Sequence, residues 1–370
     1  MRCHFVYSVP RPVNVSILDR YKTKIRYKLN QLGMPISLLR NRQPTYNEFR
    51  TWPVQSPYEN TRNIYEALSR KMPTLLYHLT EKVYCGFKAD DYFLGHPYFP
   101  HKEGYHGVTE MAFREKIRPT KLALIAPLHC DVKIKTYHIN KEFLDDIDKL
   151  LPTADILFAI MGEYWWDQWD LSPYSHWKPK MVRLDMAVDT RRYPRIKKSF
   201  NSIGKRGYLY IGNNNDPRKG IDYFSNLMGQ LPNYAKGWIG SGPEIPNVPR
   251  ISEARQLTPE FMTEIAKQYD FFISPSIADP NPTTILESMA WGFPVVCTPQ
   301  SGYYETAFRK NIYLDDNAKS VNILNELQNA DERELRLMAD KAREIVESEY
   351  TWERFTNTIV AKLFIQSNNE

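Results

Sequence analysis

Cysteine is scarce in this chain: four residues, Cys3, Cys85, Cys130 and Cys297, among 370. None stands in CxxC spacing, which argues against a zinc site and against a disulfide framework. The eight histidines form no HExxH or comparable ligand pattern. No apolar run nears the roughly 20 residues that cross a bilayer. The longest, such as Leu122 to Leu128 and Pro294 to Cys297, fall far short. The N-terminus, MRCHFVYSVP, lacks the long apolar core and small-residue cleavage site of a signal peptide and reads as a first strand. Internal repeats and low-complexity tracts are missing too. These absences leave a cytoplasmic globular protein, with neither metal nor cofactor, as the expectation.

What is present fits that class. A length of 370 residues accommodates two domains with separate cores. Hydrophobic residues at 42% and charged residues at 25% are ordinary for folded chains. Only the tail from Gln366 to Glu370 is expected to lack order. Charge is uneven. Residues 1–50 hold an excess of +8 within a chain of net +6, so the remainder is slightly acidic. Arg20, Lys22, Lys24, Arg26 and Lys28 alternate with apolar Ile17, Ile25, Tyr27 and Leu29. Such a segment attracts polyanions: nucleic acid, anionic lipid or phosphorylated acceptors. A solvated helix face with no partner is the equal alternative.

The second half alternates short apolar runs with helical patterns. GYLYIG (207–212) precedes the turn NNNDPRKG and the helical IDYFSNLMGQL. KGWIGSG (236–242) ends in Gly-x-Gly. PEFMTEIAKQY (259–269) places Phe261, Ile265 and Tyr269 at helical spacing. DFFISPS (270–276), TTILESMAWG (283–292) and FPVVCT (293–298) read as strand, helix closed by Gly292, and strand. This rhythm predicts a parallel sheet covered on both faces, with ligands beyond the carboxyl ends of its strands. In the first half, MRCHFVYSV, PTLLYHL, DDYFLGH, KLALIAP and ADILFAI read as core strands. Residues 56–71 read as a helix capped by Ser56 with Pro57 in its first turn. An interdomain linker is expected within residues 174–207.

The densest chemistry lies in SPSIADPNPTTILESMAWGFPVVCTPQSGYYE (274–305). Asp279 precedes the predicted helix and Glu287 is expected about two turns inside it. Asn281 is placed to cap and Pro282 to occupy the first turn. The N–H groups of Thr283 and Thr284 then face outward and suit a diphosphate. Carboxylates on either side accept hydrogen bonds from ring hydroxyls. Phosphate between two hydroxyl-bearing rings is the signature of a nucleotide sugar.

This pattern resembles the nucleotide-sugar signature of family-4 retaining glycosyltransferases of the GT-B fold (glycosyl transferases group 1). That signature has an acid, seven spacers, Glu, Ala-Met-Ala-x-Gly-x-Pro-Val-Val, then Gly and Glu. The resemblance implies that Glu287 holds ribose hydroxyls and Asp279 those of the transferred sugar. Asp279 departs from the family's usual Glu, and Pro280-Asn281-Pro282 from its Gly-Phe-Gly. YIGNNNDPRKGIDYF (210–224) is similar to the family's Gly-Arg…Lys-Gly turn, whose cations grip the diphosphate. Gly212, Lys219 and Gly220 match, Asn213 replaces the Arg, and Arg218 is the candidate substitute cation. Gly240-Ser241-Gly242-Pro243 is similar to the family's Gly-x-Gly strand end. The likeness is looser earlier in the chain. Pro127-Leu128-His129-Cys130-Asp131 stands where the family has a His-Asp segment, so His129 is either a contact to sugar or acceptor or a turn histidine. Ala187-Val188-Asp189 resembles the marker before the second domain, and Tyr350 to Phe355 the start of a last helix. The run Tyr164 to Trp169 either lines the cleft or packs the core. The family's glycine-rich turn after the first strand is missing; VYSVPRP stands there.

The implied architecture is α/β GT-B, with two Rossmann-like domains facing a cleft. Residues 1–190 form an acceptor domain, 191–349 a nucleotide-sugar domain, and 350–370 a helix returning to the first. The implied activity is transfer of a hexose from a nucleotide-diphospho-sugar to a glycan or lipid-linked hydroxyl, with retention and without metal, in polysaccharide biosynthesis. Catalytic weight falls on Asp279, Glu287, Lys219 and His129. The donor site adds Gly212, Asn213, Arg218, Gly240, Gly242, Asn281, Thr283 and Thr284. Inversion with a first-domain base, a nucleic-acid-modifying transferase and a non-catalytic sugar-nucleotide binder remain alternatives. If residues 11–50 dock on the inner face of the membrane, the protein will co-sediment with anionic vesicles at low salt and be released by high salt. Equal recovery on neutral vesicles excludes the docking.

Overall fold

The computed structural model describes residues 1–7, 58–78, 88–97, 119–130, 137–231, 233–253 and 257–364. The basic segment 11–50, Ser56, Pro57, Cys85, Asp131 and the tail 366–370 lie outside them. Two compact units are formed. One holds residues 1–125, 146–157 and 359–370; the other holds 126–145 and 158–358. No helix among the described residues is long and apolar enough to cross a membrane.

The first sheet contains β1 (Cys3–Tyr7), β2 (Thr74–His78), β3 (Tyr92–Gly95), β4 (Lys121–Pro127), β5 (Ile156–Ile160) and β6 (Met181–Leu184), in the order β2-β1-β3-β4-β5-β6. The described pairings of β1 with β2 and β3, and of β3 with β4, are parallel. Every residue of β1 and β3 is buried, as continuous apolar runs in a doubly covered sheet require. One polar residue enters this core with its partners. His4 stacks on Phe93 at 4.7 Å, and its Nε2 lies 3.0 Å from the Asp91 carboxylate, which Arg2 also meets at 2.9 Å. Helix α1 (Tyr58–Ser69) lies where a helix was expected; α2 (Tyr137–Leu150) and α3 (Glu163–Gln168) were not foreseen.

The second sheet is built by β7 (Tyr208–Ile211), β8 (Lys236–Ile239), β9 (Arg250–Ser252), β10 (Phe271–Ser274), β11 (Val295–Cys297) and β12 (Arg309–Asn311). Its order is β12-β11-β10-β7-β8-β9, parallel throughout. The chain thus moves outward from β7 through β8 and β9, then returns to β10 on the other side. That reversal opens a crevice at the carboxyl ends of β7 and β10. Helices α4 (Ile221–Gly229), α5 (Pro259–Gln268), α6 (Thr283–Trp291), α7 (Asn317–Asn329) and α8 (Glu332–Glu349) accompany the sheet. Helix α5 buries Met262, Ile265, Ala266 and then Tyr269, while Phe261 is only half-buried, so the inward stripe is rotated by one residue from the expected one. The last helix, α9 (Trp352–Phe364), is capped by the Thr351 hydroxyl, which accepts from Arg354 N–H. It begins in the second unit and ends in the first, where Phe364 meets Tyr92 edge-on at 5.1 Å.

Residues 185–207 carry no helix or strand, yet they are tightly held. Lys197 and Asp270, 2% and 0% exposed, form an ion pair at 2.7 Å. Asp270 also accepts from the N–H groups of Asn201 and Gly207 and from the Asn201 amide. Buried Arg206 donates to the carbonyls of Asn201, Leu327, Gln328 and Ala330. A buried charge left without its partner costs far more than the pair contributes. Asp270→Ala is therefore expected to lower unfolding free energy by about 3–5 kcal/mol. Denaturant melts check this, and a loss below 1 kcal/mol contradicts it.

Candidate active site

Three turns of the second unit converge at the reversal point. The first leaves β7. Asn213 is exposed, and its side chain accepts from Asn215 N–H at 2.9 Å, closing an Asx turn. Asp216 then caps a short 3-10 turn at Pro217–Lys219, accepting Arg218 N–H at 3.0 Å. Asp-Pro is a cap-plus-first-turn signal that the sequence displays, although Asp216 was not among the candidates. Gly220 ends the turn at φ 69°, and a Cβ there would sit 2.1 Å from the Pro275 carbonyl oxygen. Only glycine permits this turn to lie so close to the strand end of β10.

The second turn follows β8. A Cβ on Gly240 would fall 1.9 Å from the Gly212 carbonyl oxygen, so the two strand ends touch backbone to backbone. Gly242, at φ 120°, lies more loosely against Asn214 and Asn215, where a Cβ would meet atoms at 3.1 Å, and Asn214 N–H donates to the Ser241 carbonyl at 2.9 Å. Gly212, Asn213, Gly240 and Gly242 are thereby brought together as predicted candidates.

The third turn follows β10 and carries Asp279. The N–H groups of Ile277 and Ala278 both donate to the Arg218 carbonyl, at 2.8 and 3.2 Å, which ties the first turn to the third. Lys219 Nζ forms an ion pair with the Asp279 carboxylate across this junction. Arg218 is engaged differently. Its guanidinium grips Asp216 at 2.7 to 3.1 Å, and that bond raises the Arg218 pKa while holding Asp216 below its ordinary value. The substitute cation thus comes with its own counter-ion.

The segment after β5 braces the Asp279 turn from below. Trp165, fully buried, donates its indole N–H to the carbonyls of Asp279 and Gln300 at 3.0 and 3.1 Å. Gly162 N–H donates to Pro280 at 2.8 Å, and Tyr164 N–H to Gly302 at 3.3 Å. Of the aromatic run, Trp165 and Trp169 pack the core, while Tyr164 and Trp166 are half-buried. His129, just beyond β4, is 2% exposed, with its ring 5.6 Å from that of Trp165. Burial, reinforced by Arg218, lowers its pKa to about 4.

Two local expectations are corrected. Asn281 does not cap α6: the residue before its first turn is Pro282, with no side-chain cap. Its Oδ1 instead accepts Met186 N–H at 2.7 Å and lies 3.3 Å from Tyr303 Oη. Pro282 fixes an extended backbone there, and the buried main chain at Met186 claims the amide. The helix starts at Thr283, so Glu287 lies in its second turn, not two turns inside; it is half-buried. The first-turn N–H groups of Thr283 and Thr284 have no partner within the helix, and that end carries partial positive charge. Gly292 closes the helix at φ 90°, as read from the sequence.

Residues 205–327 match the family model described as Glycosyl transferases group 1. Across the fold, the chain is similar to sucrose-phosphate synthase from Thermosynechococcus elongatus, with TM-score 0.58 and 13% identity over 98% of this chain and 99% of that one. The E. coli trehalose-6-phosphate protein bound with UDP-2-fluoro glucose gives TM-score 0.58 and 10% identity, again over 98% and 99%. WaaG, a glycosyltransferase involved in lipopolysaccharide biosynthesis, gives TM-score 0.53 and 12% identity over 85% and 98%. No curated protein matches by sequence. The chain has the GT-B fold, and the match to the group 1 glycosyltransferase model lies in its second half.

His129 titrates in a defined window. Between about 4 and its ordinary 6.5 the folded imidazole stays neutral while the unfolded one takes a proton. The stability this represents is complete above pH 6.5 and is lost as pH falls through that window. Half-buried His96, also held near 4 by desolvation, shares it. His129→Gln should therefore reduce, without abolishing, the fall in Tm between pH 6.5 and 4. An unchanged pH profile contradicts the assignment.

Proposed function

We propose that the protein transfers a sugar from a nucleotide-diphospho-sugar to a hydroxyl acceptor, with retention and without a metal ion. The observation that carries this reading is the meeting of Lys219 and Asp279 at the sheet's reversal point, on the loop that leads into the uncapped start of α6 and on to Glu287. A cation and a helix N-terminus suit a diphosphate. Carboxylates on either side suit the hydroxyls of ribose and sugar. The family model and the GT-B likeness support the same chemistry.

In the reaction, the bond between the sugar's anomeric carbon and the phosphate oxygen breaks, and the acceptor oxygen bonds that carbon on the same face. The acceptor's proton passes to the departing phosphate oxygen. Lys219 and the α6 N-terminus stabilise the negative charge that builds on the diphosphate. His129, held neutral by burial, is suited to hydrogen bonding with an uncharged sugar and not to anion binding. The acceptor is a glycan or lipid-linked hydroxyl, used in the cytoplasm for polysaccharide assembly, with residues 11–50 as the segment that meets a membrane surface.

Incubation with a panel of nucleotide sugars in excess EDTA tests the reading. At least one donor should raise Tm and be slowly hydrolysed or transferred; strict dependence on added divalent metal contradicts the metal-free part. Glu287→Ala should abolish stabilisation by nucleoside diphosphate in a protein that still folds, and unchanged nucleotide affinity removes Glu287 from the site.

A further inference from the structure

The turn at Asp216 to Gly220 carries two cations, and each is matched by a carboxylate. The two matches differ in kind. Arg218 is chelated within its own turn by Asp216, which also caps the Arg218 N–H. Lys219 draws its partner, Asp279, from 60 residues away on a different loop. Its side chain is 28% exposed and that of Asp279 is 13% exposed, so the pair lies within reach of solvent. A diphosphate entering this turn therefore has to displace a carboxylate. The Lys219–Asp279 contact is the one that yields, because the Arg218–Asp216 contact is both multidentate and anchored to backbone.

The main chain of Asp279 is held by partners of its own, separate from the Lys219 contact of its side chain. Trp165 holds the Asp279 carbonyl, and Asp279 N–H donates to Gln300 at 3.1 Å. Exchange at Lys219 thus needs only rotation of the Asp279 side chain and no movement of the loop.

We infer that Asp279 has a second role, which rests on the donor reading above: it competes with the diphosphate for Lys219 and so drives product release. While a sugar is attached, the carboxylate has hydroxyls to accept from, and Lys219 is left to the diphosphate. After transfer the sugar is gone. The carboxylate has lost those donors and returns to Lys219, loosening the nucleoside diphosphate. One side chain thus favours the intact donor and disfavours its product. The shorter Asp, where the resembled family has Glu, is the residue whose charge performs this exchange.

Asp279→Asn keeps the shape and removes the charge. Titration calorimetry with UDP, GDP, ADP, CDP and dTDP gives the readout. For the nucleoside diphosphate that the unaltered protein binds, Asp279→Asn should bind about tenfold tighter, the size of one lost charge-assisted contact, while sugar transfer falls. Combined with Lys219→Met, the gain should vanish. Equal or weaker diphosphate binding by folded Asp279→Asn overturns the second role, as does a gain that persists without Lys219. If the unaltered protein binds none of the five, the donor reading falls and this inference with it; binding that Asp279→Asn leaves unchanged removes this inference alone.

Discussion

The ion pair between Lys219 and Asp279 is the contact around which the site is arranged. It closes the gap between two loops that leave adjacent parallel strands, β7 and β10, where the sheet reverses its winding. Parallel strands leave their carboxyl ends open, and what fills that opening sets the ligand. Here the opening is lined by backbone brought very close, by Gly220 under Pro275 and by Gly240 against Gly212. The Arg218 carbonyl takes two N–H groups from the Asp279 loop, and buried Trp165 takes that loop's carbonyl from the other side. The main chain is thereby held from both sides, and Lys219 and Asp279 pair across the gap between the loops. Backbone held in place before a ligand arrives is what preorganised binding of a diphosphate requires.

The departures from the resembled family acquire physical content in the structure. Asn213, where the family has Arg, spends its side chain on an Asx turn. Arg218 supplies a guanidinium nearby, but Asp216 neutralises it. Pro280-Asn281-Pro282 replaces a flexible Gly-Phe-Gly. Its two prolines stiffen the approach to α6, and Asn281 is turned inward to satisfy the main chain at Met186. Lys219 pairs instead with Asp279 of a separate loop, so on the proposed reading its ammonium group and the start of α6 meet the diphosphate.

Much of this was legible in the sequence. The strands are continuous apolar runs, and parallel packing on both faces demands that pattern. Gly220 at the end of the Lys219 turn and Gly292 after α6 stand where local rules place them. What escaped has a common cause: it depends on contacts between residues distant in sequence. The brace from Trp165 to Asp279 spans 114 residues, and no periodicity announces it. The Lys197–Asp270 pair and the carbonyls around Arg206 hide in a stretch that reads as loose linker. Asn281 looked like a cap because it precedes a helix, yet a buried N–H 95 residues away claimed it. Asp216 is readable as a cap from Asp-Pro, whereas its grip on the Arg218 guanidinium emerges only in the folded turn.

The central claim is that the crevice between the β7 and β10 loops holds a nucleoside diphosphate. Hydrogen–deuterium exchange, with and without a nucleotide sugar that raises Tm, tests it most directly. The account predicts slowed exchange confined mainly to residues 212–220 and 277–287, where the turn amides and the α6 N-terminus meet the ligand. Protection confined to other segments, with these two unchanged, would contradict it.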